Sequence, residues 1–299
     1  MTVYKQLLSL PENFSFRINL DYLKSTEDGL FRTDQESITR FIVLDGNLFF
    51  IKIYVSNNNR LVIETEDVSQ SYTKQFERQI MLYIRDWFDL DIHLEPFYTI
   101  AKQDEYLKMP ISKFYGLRNI GIPDIFEAFV WAILGQQINL SFASTLKDRF
   151  IKNYGKRLIH NGEDYWLFPS PRLIASLSMD ELFKIGMSRR KCEYIRGIAR
   201  LIANNQISRE KLVQLSDINL AVKQLTAIKG IGPWTANYVL LRCVRYPNAF
   251  PINDVGLHNA LKLAGSLDRK PSIDEIKQIA SAWEGYESYA TFFLWRLVY

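Results

Sequence analysis

The sequence predicts an α+β domain followed by an all-helical one, and three observations carry that prediction. Strand-like alternation and a hairpin signal give the first hundred or so residues strand character. Helical spacing takes over near Thr73 and beyond Pro123 runs nearly throughout. Pro, Gly and Asn accumulate between Pro110 and Gly121, which divides the chain into an N-terminal domain over residues 1–112 and a helical domain over residues 113–299. With 299 residues and 47% hydrophobic content, the chain can bury two substantial cores, and disorder is excluded.

Taken in order, Phe14, Phe16 and Ile18 alternate with polar neighbours and read as a strand. Phe41 to Leu44 and Leu48 to Val55 flank Asp45-Gly46-Asn47, a hairpin signal, and Leu61 to Thr65 adds a further strand. Phe76, Ile80, Tyr83, Ile84 and Trp87 then recur at helical spacing, as do Ile195, Ile198, Ala199 and Ile202 later in the chain. Gly230 and Gly232 bracket Ile231 in a turn between two apolar-periodic segments. Glycine permits positive φ and leaves the backbone N–H groups uncovered, and Pro233 pre-sets a helix running through Thr235, Ala236, Tyr238, Val239 and Leu241. Those donors lie at a helix N-terminus, where an anion docks. Asp254 follows Pro251 in an apolar stretch. It fits two roles, the N-cap of a helix that begins near Leu257 and a catalytic carboxylate.

The formal net charge is +4, and Lys184, Arg189, Arg190, Lys191, Arg196 and Arg200 share one stretch with only Glu193 opposing them. Alone, that is a solvated helix face; beside a phosphate-binding turn it points to nucleic acid. Two cysteines, Cys192 and Cys243, make no secreted disulfide framework, so a reduced intracellular protein is expected. His93, His160 and His258 are far apart, and no catalytic metal is expected. The N-terminus has no signal-peptide pattern and no apolar run suggests a membrane span, so the expected location is the cytoplasm.

Gly230-Ile-Gly-Pro-Trp-Thr-Ala-Asn-Tyr238, followed by Phe250-Pro-x-x-Asp-x-Gly-Leu257, resembles the helix-hairpin-helix and Gly-Pro-Asp signature of the DNA glycosylase superfamily, with the AlkA-type 3-methyladenine DNA glycosylase II as the best match. Phe126 to Ile138 is similar to that family's first core helix and the DNA-probing turn after it. Leu182 to Lys191 and Ser288 to Trp295 resemble later segments, so coverage is continuous from about Gly121 to Tyr299. The resemblance implies an α+β N-terminal domain of uncertain purpose beside a helix-hairpin-helix DNA glycosylase core.

It also implies roles. Asp254 would stabilise positive charge on the deoxyribose; Trp234, Tyr238 and Trp295 would line the pocket for an extruded base, although Tyr238 and Trp295 equally suit core positions. Gly230, Gly232 and Thr235 would contact the DNA backbone. Gln137 stands where an aliphatic wedge would match better, so either Gln137 or Ile138 fills the gap left in the duplex. Carbonyls preceding the hairpin turn would hold a structural monovalent cation, and no cofactor is required. Members of the superfamily that also cleave the strand carry a lysine where this chain has Trp234, and iron-sulfur members need four cysteines near the C-terminus, which residues 244–299 lack. The expected activity is therefore monofunctional hydrolysis of alkylated purines, 3-methyladenine and 7-methylguanine, from double-stranded DNA by a monomer. Alternatives are the same fold acting on hypoxanthine or etheno adducts, and a non-catalytic binder of damaged DNA.

Overall fold

In the computed structural model, which describes residues 2–299, the chain begins with β1 (Val3–Ser9), α1 (Phe16–Ser25), β2 (Phe31–Thr33), β3 (Ser37–Leu44), β4 (Asn47–Val55) and β5 (Arg60–Asp67). Helices α2 (Lys74–Trp87), α3 (Glu95–Gln103) and α4 (Lys108–Lys113) follow. The five strands form one antiparallel sheet in the order β1-β5-β4-β3-β2. Asp45 and Gly46, both at positive φ, make the two-residue turn that pairs Leu44 with Asn47. Residues 14–18 are not a strand. Ser15 caps α1 by accepting from the Ile18 amide, and the apolar residues of that stretch pack from a helix and the turn before it.

Beyond α4 the chain is helical in the main: α5 (Ile125–Gly135), α6 (Leu140–Tyr154), then β6 (Lys156–His160) and β7 (Glu163–Leu167), then α7 (Pro171–Ser176), α8 (Met179–Phe183), α9 (Arg189–Ala203) and α10 (Arg209–Gln214). The hairpin pair α11 (Ile218–Thr226) and α12 (Pro233–Val239) leads to α13 (Val255–Ala264), α14 (Ile273–Ala280) and α15 (Glu287–Trp295). The helical core thus contains one β-hairpin that helical periodicity does not anticipate, turning at Asn161-Gly162 with both residues at positive φ.

That hairpin explains how both faces of the N-terminal sheet are covered. Alternation on β4 sends Phe49, Ile51 and Ile53 into the main core, where Phe76 of α2 packs on Phe49, while Phe50 points the other way with Phe41. Tyr165 of β7 closes on that second face, its hydroxyl 2.9 Å from Thr39 Oγ1, and His160 of β6 stacks on Phe50. One apolar cluster runs from Leu8 to Trp295 without a break at residue 112, so the two halves share a core. A cleft between them carries the candidate site residues. Among the described residues no helix is long and apolar enough to cross a membrane.

Candidate active site

Asp254 sits at the N-terminus of α13, and the loop that delivers it is held at several points. Asn237 of α12 accepts from the Phe250 amide at 3.0 Å, the Asp254 amide donates to Pro251 O at 2.8 Å, and His258 Nε2 lies 2.7 Å from Ile252 O. The side chain then meets three donors. Oδ1 accepts from the Leu257 amide at 2.7 Å and from Trp295 Nε1 at 2.7 Å; Oδ2 accepts from Trp234 Nε1 at 2.8 Å. Asp254 is therefore the helix cap, and it is also clamped between two indoles. An ionised carboxylate offers about four acceptor sites. Two donors occupy Oδ1, and only one occupies Oδ2, which leaves the open acceptor on Oδ2.

The three expected pocket aromatics come together around that carboxylate. Trp234 and Tyr238 stack with centroids 5.5 Å apart, and Tyr238 meets Trp295 at 5.9 Å. Tyr238 and Trp295 are also buried, so pocket wall and core member describe the same rings. All three line a cleft of about 1560 Å³ together with Asp254, Gln136, Gln137, Ile138, Trp131 and Arg242. Burial pushes the Tyr238 hydroxyl up to about 12 against the opposing charge of Arg242.

Sequence reasoning passed over the polar groups of this cleft. Arg242 is buried on the π-helical turn Leu240–Val244 that continues α12, and it donates to Tyr238 Oη at 3.2 Å, Tyr22 Oη at 2.7 Å and Ile120 O at 3.0 Å. Lys147 of α6 donates to Asp28 Oδ2 at 2.5 Å and Glu127 Oε1 at 2.8 Å. A charge inside the apolar run Tyr238 to Val244 was a visible signal for Arg242; nothing local links Asp28, Glu127 and Lys147.

The turn between α11 and α12 follows the glycine pattern with a division of labour. Gly230 has φ +88°, and a Cβ there would run into the Tyr194 ring. Gly232 is the N-cap of α12 at φ −87°, exposed, and a Cβ on it would meet nothing. Only Gly230 is needed by the turn; Gly232 keeps the surface bare. Thr235 keeps its place in the first turn of α12, but its side chain turns inward. It is 1% exposed, and its hydroxyl accepts from Gln136 Nε2 at 2.9 Å, while the same amide group donates to Gly230 O at 3.0 Å. Thr235 thus ties the turn to the end of α5 and does not present its side chain to a phosphate.

Gln137 follows directly, exposed and at φ +56°, a conformation that is costly outside glycine and that aims the residue outward; Ile138 beside it is half-buried. The basic stretch also needs one revision. Lys184, Arg189, Arg190 and Arg200 are exposed, but Lys191 is buried and donates to Leu134 O at 2.6 Å, capping the C-terminal end of α5.

A family model described as HhH-GPD superfamily base excision DNA repair protein matches residues 130–284. The chain belongs to that superfamily. A second model, 8-oxoguanine DNA glycosylase N-terminal domain, matches residues 8–129 of this HhH-GPD chain. The chain is 46% identical to a DNA-3-methyladenine glycosylase of Bacillus subtilis over 98% of its own length and 97% of that protein's. It is 34% identical to a putative DNA-3-methyladenine glycosylase of the same organism over 74% of this chain and 75% of that one. Among solved structures, a 3-methyladenine DNA-glycosylase from Archaeoglobus fulgidus has the same fold, with a TM-score of 0.83 at 23% identity and 97% of each chain covered. These likenesses agree with the sheet-bearing first half and helical HhH-GPD core.

Proposed function

We propose that this HhH-GPD protein is a monofunctional DNA glycosylase that releases 3-methyladenine and 7-methylguanine from duplex DNA and leaves an abasic site, working as a single cytoplasmic chain. The observation that carries the reading is the Asp254 carboxylate, fixed by two indole N–H groups and a backbone amide, with the open acceptor of Oδ2 at an aromatic cleft. The substrate class follows from the near full-length relative named a DNA-3-methyladenine glycosylase.

Alkylation at a ring nitrogen makes the purine cationic, so it departs as a neutral base and needs little proton assistance. As the C1′–N bond lengthens, positive charge grows on the deoxyribose. A preorganised carboxylate opposes it, and the open acceptor on Oδ2 orients the water that adds at C1′. Trp234, Tyr238 and Trp295 supply faces on which a cationic purine gains stacking and cation–π attraction, about 0.5–2 kcal/mol per ring. Gln137, at the exposed tip of its turn, is the side chain we assign to the gap in the duplex, with Ile138 packing behind it. The Ile231 amide is taken by Ile228 O at 3.0 Å, so the bare amide at Gly232 is the one that meets the phosphate backbone.

Residues 226–232 line an open groove of about 540 Å³, and main-chain oxygens of that turn, as neutral hard acceptors, would suit an alkali cation that braces it. Gly230 O is already taken by Gln136, so the ligands would be its neighbours. The ion would supply no chemistry.

Incubating the protein with methylated duplex DNA and chromatographing the released material tests the reading. Free 3-methyladenine and 7-methylguanine are expected, with the strand intact until alkali is added. Absence of any free base would overturn it.

A further inference from the structure

The cleft contains charges that the chemistry at Asp254 does not use. Exposed residues border it both beside Asp254, at Gln137, Asn253 and Val255, and beside Asp28 and Lys147, at Thr26, Glu27 and Thr145, while buried Leu30, Phe31 and Trp87 line it from the core. There Lys147 is held between Asp28 and Glu127, with side chains 10%, 16% and 11% exposed. The Lys147 ammonium lies 5.6 Å from the Trp131 ring centroid, and Trp131 and Tyr238 line the same cleft. A continuous wall therefore runs from Asp254 through Trp234, Tyr238 and Trp131 to the ionic triad. Burial alone would lower the pKa of Lys147, but the charges of Asp28 and Glu127 more than offset it and the ammonium is held on.

With both carboxylates ionised the triad has a net charge of −1; burial pushes the Glu127 carboxyl up and the Lys147 ammonium works against that rise. The acceptors are unequally used. Asp28 takes Lys147 on Oδ2 and the Leu30 amide on Oδ1 at 3.2 Å. Glu127 takes Lys147 on Oε1, and its Oε2 accepts from no group among the described residues. The residue is 8% exposed and borders the cleft, so that oxygen is open only to what enters there. Glu127 Oε2 is not sealed from solvent, so water meets it in the cleft, and a ligand donor there would take that water's place.

We infer that Glu127, positioned by Lys147, reads the flipped purine by accepting from an N–H donor on its Watson–Crick edge, the exocyclic amine above all. This rests on the glycosylase reading above and deepens it. Ring alkylation spreads positive charge onto the exocyclic amine and makes it a stronger donor, so a fixed anionic acceptor responds to the damage itself as well as to the shape of the base. Arg40, near enough to influence Glu127, stacks on Trp87 and is directed at that ring. Glu127 is a specificity residue under this proposal, and Lys147 and Asp28 are positioning residues.

The test uses two duplexes identical except at one site opposite cytosine, 7-methylguanine in one and 7-methylhypoxanthine, which lacks the exocyclic amine, in the other. Single-turnover release is measured for each and corrected for spontaneous loss. The wild-type chain is expected to favour 7-methylguanine roughly tenfold or more, the discrimination that one hydrogen bond to a charged group supports. Glu127→Gln should bring that ratio close to one. Glu127→Asp keeps the charge beside Lys147 while withdrawing the acceptor by a methylene, and the same fall is expected, so the test survives if the amide variant does not fold. A general loss of packing slows both substrates and leaves the ratio alone. A wild-type ratio of one, or an unchanged ratio in either folded variant, overturns the proposal while the glycosylase reading stands. Release of neither base by the wild-type chain overturns both.

Discussion

Replacing Asp254 with Asn keeps a helix cap, since Asn serves α13 about as well as Asp, but it exchanges one acceptor oxygen for a donor amide. The Leu257 amide and Trp295 Nε1 already converge on Oδ1. The new amide nitrogen therefore faces Trp234 Nε1, donor against donor, across what was a 2.8 Å hydrogen bond. Base release is expected to fall roughly 10²- to 10³-fold, the usual effect of deleting a preorganised electrostatic group. Because the clamp is spoiled as well, stability should drop by about 1–3 kcal/mol. Thermal melts and single-turnover assays on the same preparation check both, and near wild-type turnover would remove Asp254 from the chemistry. The same contacts make Trp234 more than a stacking face. Its N–H holds the carboxylate, so base recognition and charge stabilisation are coupled through one indole.

The α11–α12 hairpin separates folding from binding within three residues. Gly230 is at φ +88° against the Tyr194 ring, so Gly230→Ala combines backbone strain with a collision and should lower stability by about 1–3 kcal/mol. Gly232 is in a conformation open to any residue, with free space above it. Gly232→Val should therefore melt close to the wild type yet weaken binding to damaged and undamaged duplex alike, by about tenfold, because a branched side chain keeps phosphate off the amides without touching the base. Fluorescence titrations over a salt series, beside thermal melts of both variants, decide the matter. A Gly232→Val protein that bound DNA normally would move the phosphate contact elsewhere. Both the turn and α5 are anchored from outside, by Gln136 on Gly230 O and by Lys191 on Leu134 O, which puts Gln137 at the tip of a braced corner.

At the scale of the molecule, no amine among the described residues is placed to attack the sugar from the hairpin. Trp234 occupies the position beside Asp254, and Lys229 is exposed on the outside of the turn, paired with Glu193 at 2.5 Å. Strand cleavage through a Schiff base requires a lysine at C1′. Borohydride added during turnover should trap no covalent adduct above background, and strands should break only after alkali or a separate lyase. Efficient trapping would require Lys147 or another cleft amine to reach the sugar. The cleft itself belongs to both halves: Asp28, Leu30 and Phe31 come from the N-terminal part, and the β6–β7 hairpin of the helical part closes the second face of the sheet. The N-terminal part is thus a wall of the site, which no motif within residues 1–112 discloses.

The strands β3 to β5, helix α2, the Gly230 turn and the Asp254 cap were legible because each depends on neighbours a few positions apart: alternation, 3.6-residue spacing, a φ that glycine tolerates, a cap immediately before a helix. The aromatic group around Asp254, with members 20 and 41 residues from it, followed from the family resemblance. The misreading of Phe14 to Ile18 came from weighing alternation above the Ser15 cap, and the β6–β7 hairpin carried an Asn-Gly turn signal that the surrounding helical pattern obscured. Lys191 was read as part of a basic face, and its burial, like that of the Thr235 side chain, follows from partners at the end of α5 that adjacency along the chain does not reveal. The ion triad and Arg242 lie further beyond local reading, since Lys147 meets Asp28 across 119 residues and Arg242 meets Tyr22 across 220. Local rules act through backbone torsions and side chains one or two turns apart, whereas buried charges find partners only when separate elements pack. Sequence alone therefore determined the family, the hairpin and the carboxylate, while folding decided which charges face the base.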